Sequence, residues 1–202
     1  MQQIKLAGGA VSSYLFRSML LLLVGAGWAS AAVVGDVELP EQVQVNGYDQ
    51  PLQLNGAGVR RKLFIAVYVG ALYLPQRQVG VGTLLSAATP YRFSMRFVYP
   101  RVTRRQFDES WHDGFANNLS ADRMASVAAR LDDFVEMFDD MHEGDTLWLD
   151  AVPGRGTEVI VNGSSRGVIP GDDFGTALLA VWLGPDPVSD ALKKALVGVD
   201  KD

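Results

Sequence analysis

The chain has no cysteine, which excludes disulfide scaffolds, thiolate nucleophiles, iron–sulfur clusters, cysteine-based zinc sites and a bacterial lipoprotein anchor. Histidine is almost as scarce. His112 and His142 stand 30 residues apart without H-E-x-x-H or H-x-x-H spacing, so a metal centre would need carboxylates converging from elsewhere. The acidic pairs Asp132-Asp133, Asp139-Asp140 and Asp172-Asp173 do not supply one, because adjacent carboxylates on a helix point different ways and the last pair is expected to cap a helix. Basic residues are in the minority, 18 Lys and Arg against 23 Asp and Glu, and form no block able to track phosphates, so no nucleic acid partner is expected. There is no G-x-S-x-G elbow. Gly56-Ala57-Gly58 lacks the third glycine of a dinucleotide loop, and Gly154-Arg155-Gly156 is a hairpin tip, so no cofactor is expected. What the chain does have is ordinary globular composition: 202 residues, 48% hydrophobic and 20% charged, enough for one domain with a real core.

Lys5 and Arg17 precede an apolar run that starts at Met19-Leu20-Leu21-Leu22-Leu23-Val24 and ends in Ala29-Ser30-Ala31, the layout of a signal peptide with small residues at its cleavage point. The strongly apolar stretch is about ten residues, too short for a stable anchor. Residues 1–31 are therefore expected to be a signal peptide, and residues 32–202 a single exported domain, in the periplasm, with no transmembrane anchor left after cleavage. Export would remove two basic and no acidic residues, leaving 16 against 23.

Along the domain, Val37–Leu39 and Gln42–Val45 read as short strands. Asn46-Gly47 and Asn55-Gly56 read as turns, and Lys62–Leu74 as one long buried strand rich in β-branched and aromatic residues. Tyr91–Tyr99 alternates Phe93, Met95 and Phe97 against Arg92, Ser94 and Arg96, the pattern of a half-buried strand. Thr103 is placed to cap a helix carrying Phe107, Trp111, Phe115 and Leu119 at spacings of four, and Ser120 to cap a second. Thr146–Val152, Thr157–Val161 and Arg166–Ile169 form a meander, followed by a helix started by Asp172 or Asp173 and ended by Gly184-Pro185, and a last helix over Val188–Val197. This order predicts an α+β fold, an antiparallel β-sheet with helices packed on one face.

Two segments carry a more specific resemblance. Leu54-Asn55-Gly56-Ala57-Gly58-Val59-Arg60 followed by Phe64-Ile65-Ala66-Val67-Tyr68-Val69-Gly70-Ala71-Leu72-Tyr73-Leu74 resembles the opening of the chalcone isomerase fold. Phe174 to Gly184, with Leu192-Lys193-Lys194-Ala195-Leu196-Val197-Gly198, is similar to that family's closing helices. The likeness spans nearly all of residues 36–199 and is strongest to the exported bacterial chalcone isomerase-like branch.

The resemblance implies a role for Arg60 as the family arginine, with Arg61 in its place if the register slips. The enzyme closes a ring on an enone, which needs a cation for the phenolate and hydroxyl donors for the developing enolate. The family's threonine falls at Tyr68 here, its tyrosine and asparagine at Phe107 and Gly114, and its later polar residue at about Val181. Three polar positions are apolar or empty, so the likeness implies a non-catalytic member binding a small hydrophobic acid or fatty acid through Arg60 with Tyr68 and Tyr73. Two alternatives stay open: an intramolecular lyase, and an envelope protein-interaction module in which Arg60, Arg61 and Lys62 are a solvated strand end and the tyrosines are core.

Overall fold

The computed structural model of the chain describes residues 31–86 and 88–197; the expected signal peptide lies outside them except for Ala31. A two-stranded antiparallel ribbon comes first, β1 (Ala31–Val34) and β2 (Val37–Pro40). It is followed by β3 (Gln42–Val43), β4 (Leu52–Lys62), β5 (Ile65–Leu74), the short helix α1 (Gly82–Ser86), β6 (Tyr91–Phe97) and β7 (Arg101–Val102). Two helices, α2 (Arg104–Asn118) and α3 (Ala121–Val135), lead to β8 (Met141–His142), which pairs with β7. The meander β9 (Thr146–Val152), β10 (Gly156–Val161) and β11 (Ser164–Ile169) and the helices α4 (Asp172–Leu183) and α5 (Asp190–Val197) complete the chain.

The main sheet is antiparallel throughout and has seven strands in the order β11-β10-β9-β6-β5-β4-β3. Period-two alternation divides its side chains between two faces. Tyr68, Leu72 and Leu74 of β5, with Phe93, Met95 and Phe97 of β6, join the helices in the larger core. Val69, Ala71 and Tyr73 point the other way, into a smaller core with Leu39, Leu52 and Leu54, against which the ribbon residues Ala32, Val34 and Val37 pack. The expected α+β architecture with helices on one face is what the chain adopts. Both predicted caps are present: the Thr103 side chain accepts from the Gln106 backbone N–H in a reciprocal capping box, and the Ser120 side chain accepts from the Arg123 N–H.

Three local expectations are corrected. Lys62–Leu74 is not one strand: Lys62 pairs with Ile65, and Leu63-Phe64 turn the chain between β4 and β5. An unbroken apolar run gives no turn signal, and Leu63 takes the positive φ (56°) that a glycine or asparagine usually supplies. Second, Asn55-Gly56 is no turn but part of β4, where Asn55 bulges between the pairs Leu54–Tyr73 and Gly56–Leu72. Its side chain donates to the Leu196 carbonyl at 2.7 Å, and a Cβ on Gly56 would collide with the Ala195 carbonyl oxygen. The bare backbone at Gly56 thus lets α5 lie directly on the sheet. Third, α4 is not capped by an aspartate side chain. Its N-cap is Gly171, while Asp172 accepts from the Gly154 N–H at 2.8 Å and Asp173 receives the Arg130 guanidinium at 2.6 and 2.7 Å.

Candidate functional site

The β4–β5 hairpin, β6, α2 and α4 enclose a cavity of about 320 Å³ on the helical side of the sheet. A second register shift shapes its floor. Arg60 pairs with Tyr68 and Arg61 with Ala66, so Val67 is the extra residue of β5. The bulge re-aims the strand, and Ile65, Val67 and Tyr68 all line the same cavity. Met95 and Phe97 continue the floor, Phe107 and Trp111 come from α2, and Val181 and Trp182 from α4. Most of this wall is hydrocarbon or aromatic.

The floor also carries two adjoining polar side chains, Arg60 and Tyr68. Arg60 and Tyr68 are directly opposite one another on neighbouring strands and both line the cavity. The Trp182 Nε1–H donates to the Tyr68 hydroxyl oxygen at 2.9 Å. Trp182 is in turn held by a stack on Phe93, with ring centroids 3.6 Å apart, and by the edge-to-face Trp111. The tyrosine oxygen is therefore occupied as an acceptor, and its own proton has no acceptor among the described residues. Burial raises the Tyr68 pKa to about 12, although the Arg60 charge and the Trp182 bond both act to lower it. The hydroxyl is thus a neutral donor at physiological pH. Arg60 likewise makes no salt bridge or side-chain hydrogen bond among the described residues. Two carboxylates on α2, Glu109 and Asp113, line the exposed lip of the cavity, and neither lies within ion-pair distance of Arg60; Glu109 is taken by Arg105 at 3.2 Å.

The sequence-derived site is only partly assembled. Arg60 and Tyr68 meet in the cavity; Tyr73 and Arg61 do not join them. Tyr73 lies five residues after Tyr68 on a strand that pairs regularly with β6 over that interval, so the odd spacing turns it to the opposite face. There it lines an open groove of about 680 Å³ with Arg92, Trp148 and Gly35. Arg61 is exposed and outside the cavity lining, on the other side of the bulge. Trp182 is a site residue that the sequence reading did not single out. It is buried inside the fold, and its acceptor comes from a strand 114 residues away in sequence, which no local signal marks. Phe107 and Val181 line the cavity, while Gly114 brings α2 so close to α4 that a Cβ there would stand 2.8 Å from Val181 Cγ1. His112 lies away from this site, bridging Asp108 and Asp132. Among the described residues no group of three His, Asp or Glu side chains could hold a metal ion. No described helix is long and apolar enough to cross a membrane.

The model of the chalcone isomerase-like family matches residues 31–198. The chain belongs to that family. Among solved structures it is similar to a fatty-acid binding protein from Arabidopsis thaliana, with a TM-score of 0.62 and 15% sequence identity over 83% of this chain and 96% of the other. At that identity the likeness establishes a shared fold. No curated protein sequence matches the chain.

Proposed function

We propose that this chalcone isomerase-like protein binds a small hydrophobic acid of the fatty-acid class without transforming it. The observation that carries the reading is the pairing of two donors without acceptors among the described residues, the Arg60 guanidinium and the Tyr68 hydroxyl, on the largely apolar floor of the cavity. Donors without acceptors suit an anion, and a guanidinium suits a carboxylate because it can bind both oxygens at once. The apolar wall suits a hydrocarbon tail, and the volume falls within the range of roughly 300–1,000 Å³ usual for small-ligand sites. The Arabidopsis neighbour, a fatty-acid binding protein on the same fold, agrees with this ligand class.

The same wall weighs against ring closure. An isomerase needs donors placed where enolate charge develops, and Phe107 and Val181 supply none, while Gly114 has no side chain. Losing even one such donor costs about a hundredfold in rate. Consumption of a chalcone no faster than by Arg60→Met is the expected result of a spectrophotometric assay.

The binding test compares a fatty acid with the alcohol of equal chain length by displacement of a fluorescent probe. The acid is expected to bind at least tenfold more tightly, and Arg60→Met to abolish that preference while leaving the alcohol unchanged. Equal affinity of the wild-type protein for acid and alcohol would overturn the reading. We also propose that the domain works in the periplasm after removal of residues 1–31; N-terminal sequencing of protein recovered from that compartment tests it, and a chain still starting at Met1 in the cytoplasm defeats it.

A further inference from the structure

The tip of the β4–β5 hairpin combines three features that stability alone does not explain. Leu63 and Phe64 are 87% and 94% exposed, and Ile65 follows at 51%, so three consecutive large apolar side chains project into solvent. Leu63 also holds a positive φ that costs a non-glycine residue about 1–2 kcal/mol. Immediately before them stand Arg60, Arg61 and Lys62, three consecutive cations in a chain whose formal charge is -5. The tip is part of the cavity's rim: Lys62, Leu63 and Ile65 line it, together with the half-exposed Tyr99.

We infer that this hairpin is a docking wedge for an anionic lipid bilayer. Leu63 and Phe64 would sit among the acyl chains, Arg61 and Lys62 at the headgroups, and Tyr99 at the boundary, where an amphipathic ring is favoured. Both the apolar area and the positive charge of such a surface add to membrane attraction. A protein partner fits less well. Three side chains on a narrow turn offer well under the roughly 800 Å² per partner of a standard interface. The rim is asymmetric as well: the hairpin lip is basic, while the α2 lip carries Glu109 and Asp113, so the hairpin meets the anionic surface first. On the ligand reading above, docking would set the cavity mouth at the bilayer, where fatty acids partition. The docking itself does not require that reading.

The experiment is flotation of the purified protein with phosphatidylcholine vesicles, with and without phosphatidylglycerol, alongside the fatty-acid displacement assay. Wild-type protein is expected to float with the anionic vesicles only, and less as salt rises from about 0.1 M toward about 1 M, where screening is nearly complete. Phe64→Ser and Arg61→Glu alter residues outside the cavity lining, and each is expected to weaken flotation about tenfold or more while leaving fatty-acid affinity unchanged. Phe64 is too exposed for its loss to unfold the domain, which a thermal melt verifies. Failure of the wild type to float, or unaltered flotation of Phe64→Ser, would overturn the inference. So would a dimer in sedimentation velocity that Phe64→Ser dissolves, because the tip would then face a second copy. Loss of fatty-acid binding in the wild type with flotation intact would defeat the ligand reading and leave docking standing.

Discussion

Strand β5 carries an arginine–tyrosine pair on each of its faces, and the two pairs are in opposite electrostatic states. On the helical face Tyr68 lies opposite Arg60, and on the other Tyr73 lies opposite Arg92. The tyrosines are alike: burial raises each to a pKa of about 12, against a lowering influence from its own arginine. The arginines differ. Arg92 is buried, grips Asp150 through Nε at 2.6 Å and Nη2 at 2.5 Å, and lies over the Trp148 ring, 4.4 Å from its centroid. Arg60 has no such partner among the described residues. One cation is finished as structure; the other is left with donors free for something from outside. Residue type alone therefore does not mark a site, and the test is whether the fold already satisfies the side chain.

The comparison is broken most forcefully at Arg92. Arg92→Met leaves the Asp150 carboxylate buried without its partner, which should destabilise the fold by about 3–5 kcal/mol and lower Tm by roughly 10 °C. Arg60→Met should leave Tm almost unmoved, because no side-chain bond among the described residues is lost, while weakening a carboxylate ligand by about 10–100-fold, the value of one charge-assisted hydrogen bond or a little more. Thermal melts and ligand titrations on the two variants form a crossed pair. If Arg92→Met were tolerated, or Arg60→Met unfolded the protein, the contrast between the faces would be lost.

Much of this was legible before any coordinates. The alternation of Phe93, Met95 and Phe97 against Arg92, Ser94 and Arg96 correctly divides β6 between its two faces, because strand periodicity is strictly local. The caps at Thr103 and Ser120 are local for the same reason. Tyr73 shows what was readable but not used, since a five-residue spacing along one strand separates it from Tyr68. The bulges at Asn55 and Val67 were not readable. Each has a partner distant in sequence, Asn55 the Leu196 carbonyl of α5 and the Val67 carbonyl the backbone N–H groups of Val98 and Tyr99, and the chain around them carries no mark of the extra residue. The same holds for the pairing of Arg92 with Asp150, which requires knowing that β9 lies beside β6.

Removing the hydroxyls sharpens the contrast on a smaller scale. In Tyr68→Phe the Trp182 Nε1–H loses its acceptor inside the core, and a buried donor left unsatisfied should cost about 1–2 kcal/mol in urea unfolding at neutral pH. Tyr73 is buried beside the groove, but its hydroxyl makes no hydrogen bond among the described residues, so Tyr73→Phe breaks no such bond and should change stability by less than about 0.5 kcal/mol. Equal losses in the two variants would mean that the indole contact contributes nothing.

A last contrast is a pH dependence confined to the alkaline range. A tyrosine whose pKa rises from 10.0 to about 12 on folding contributes stability that is fully present below pH 10 and lost as pH climbs through the folded value. For Tyr68 the loss between pH 9 and pH 11 should be about 1 kcal/mol, and Tyr68→Phe should lack that share of the decline. A bound carboxylate beside the hydroxyl adds negative charge and pushes the Tyr68 value higher still, whereas Tyr73, across the sheet beside a neutralised arginine, should not respond. Ultraviolet difference titration of the wild type and of each Phe variant, with and without a fatty acid, separates the two tyrosines. A shift that follows Tyr73 instead would move the anion to the other face of the sheet, against the pair Arg92 has already formed.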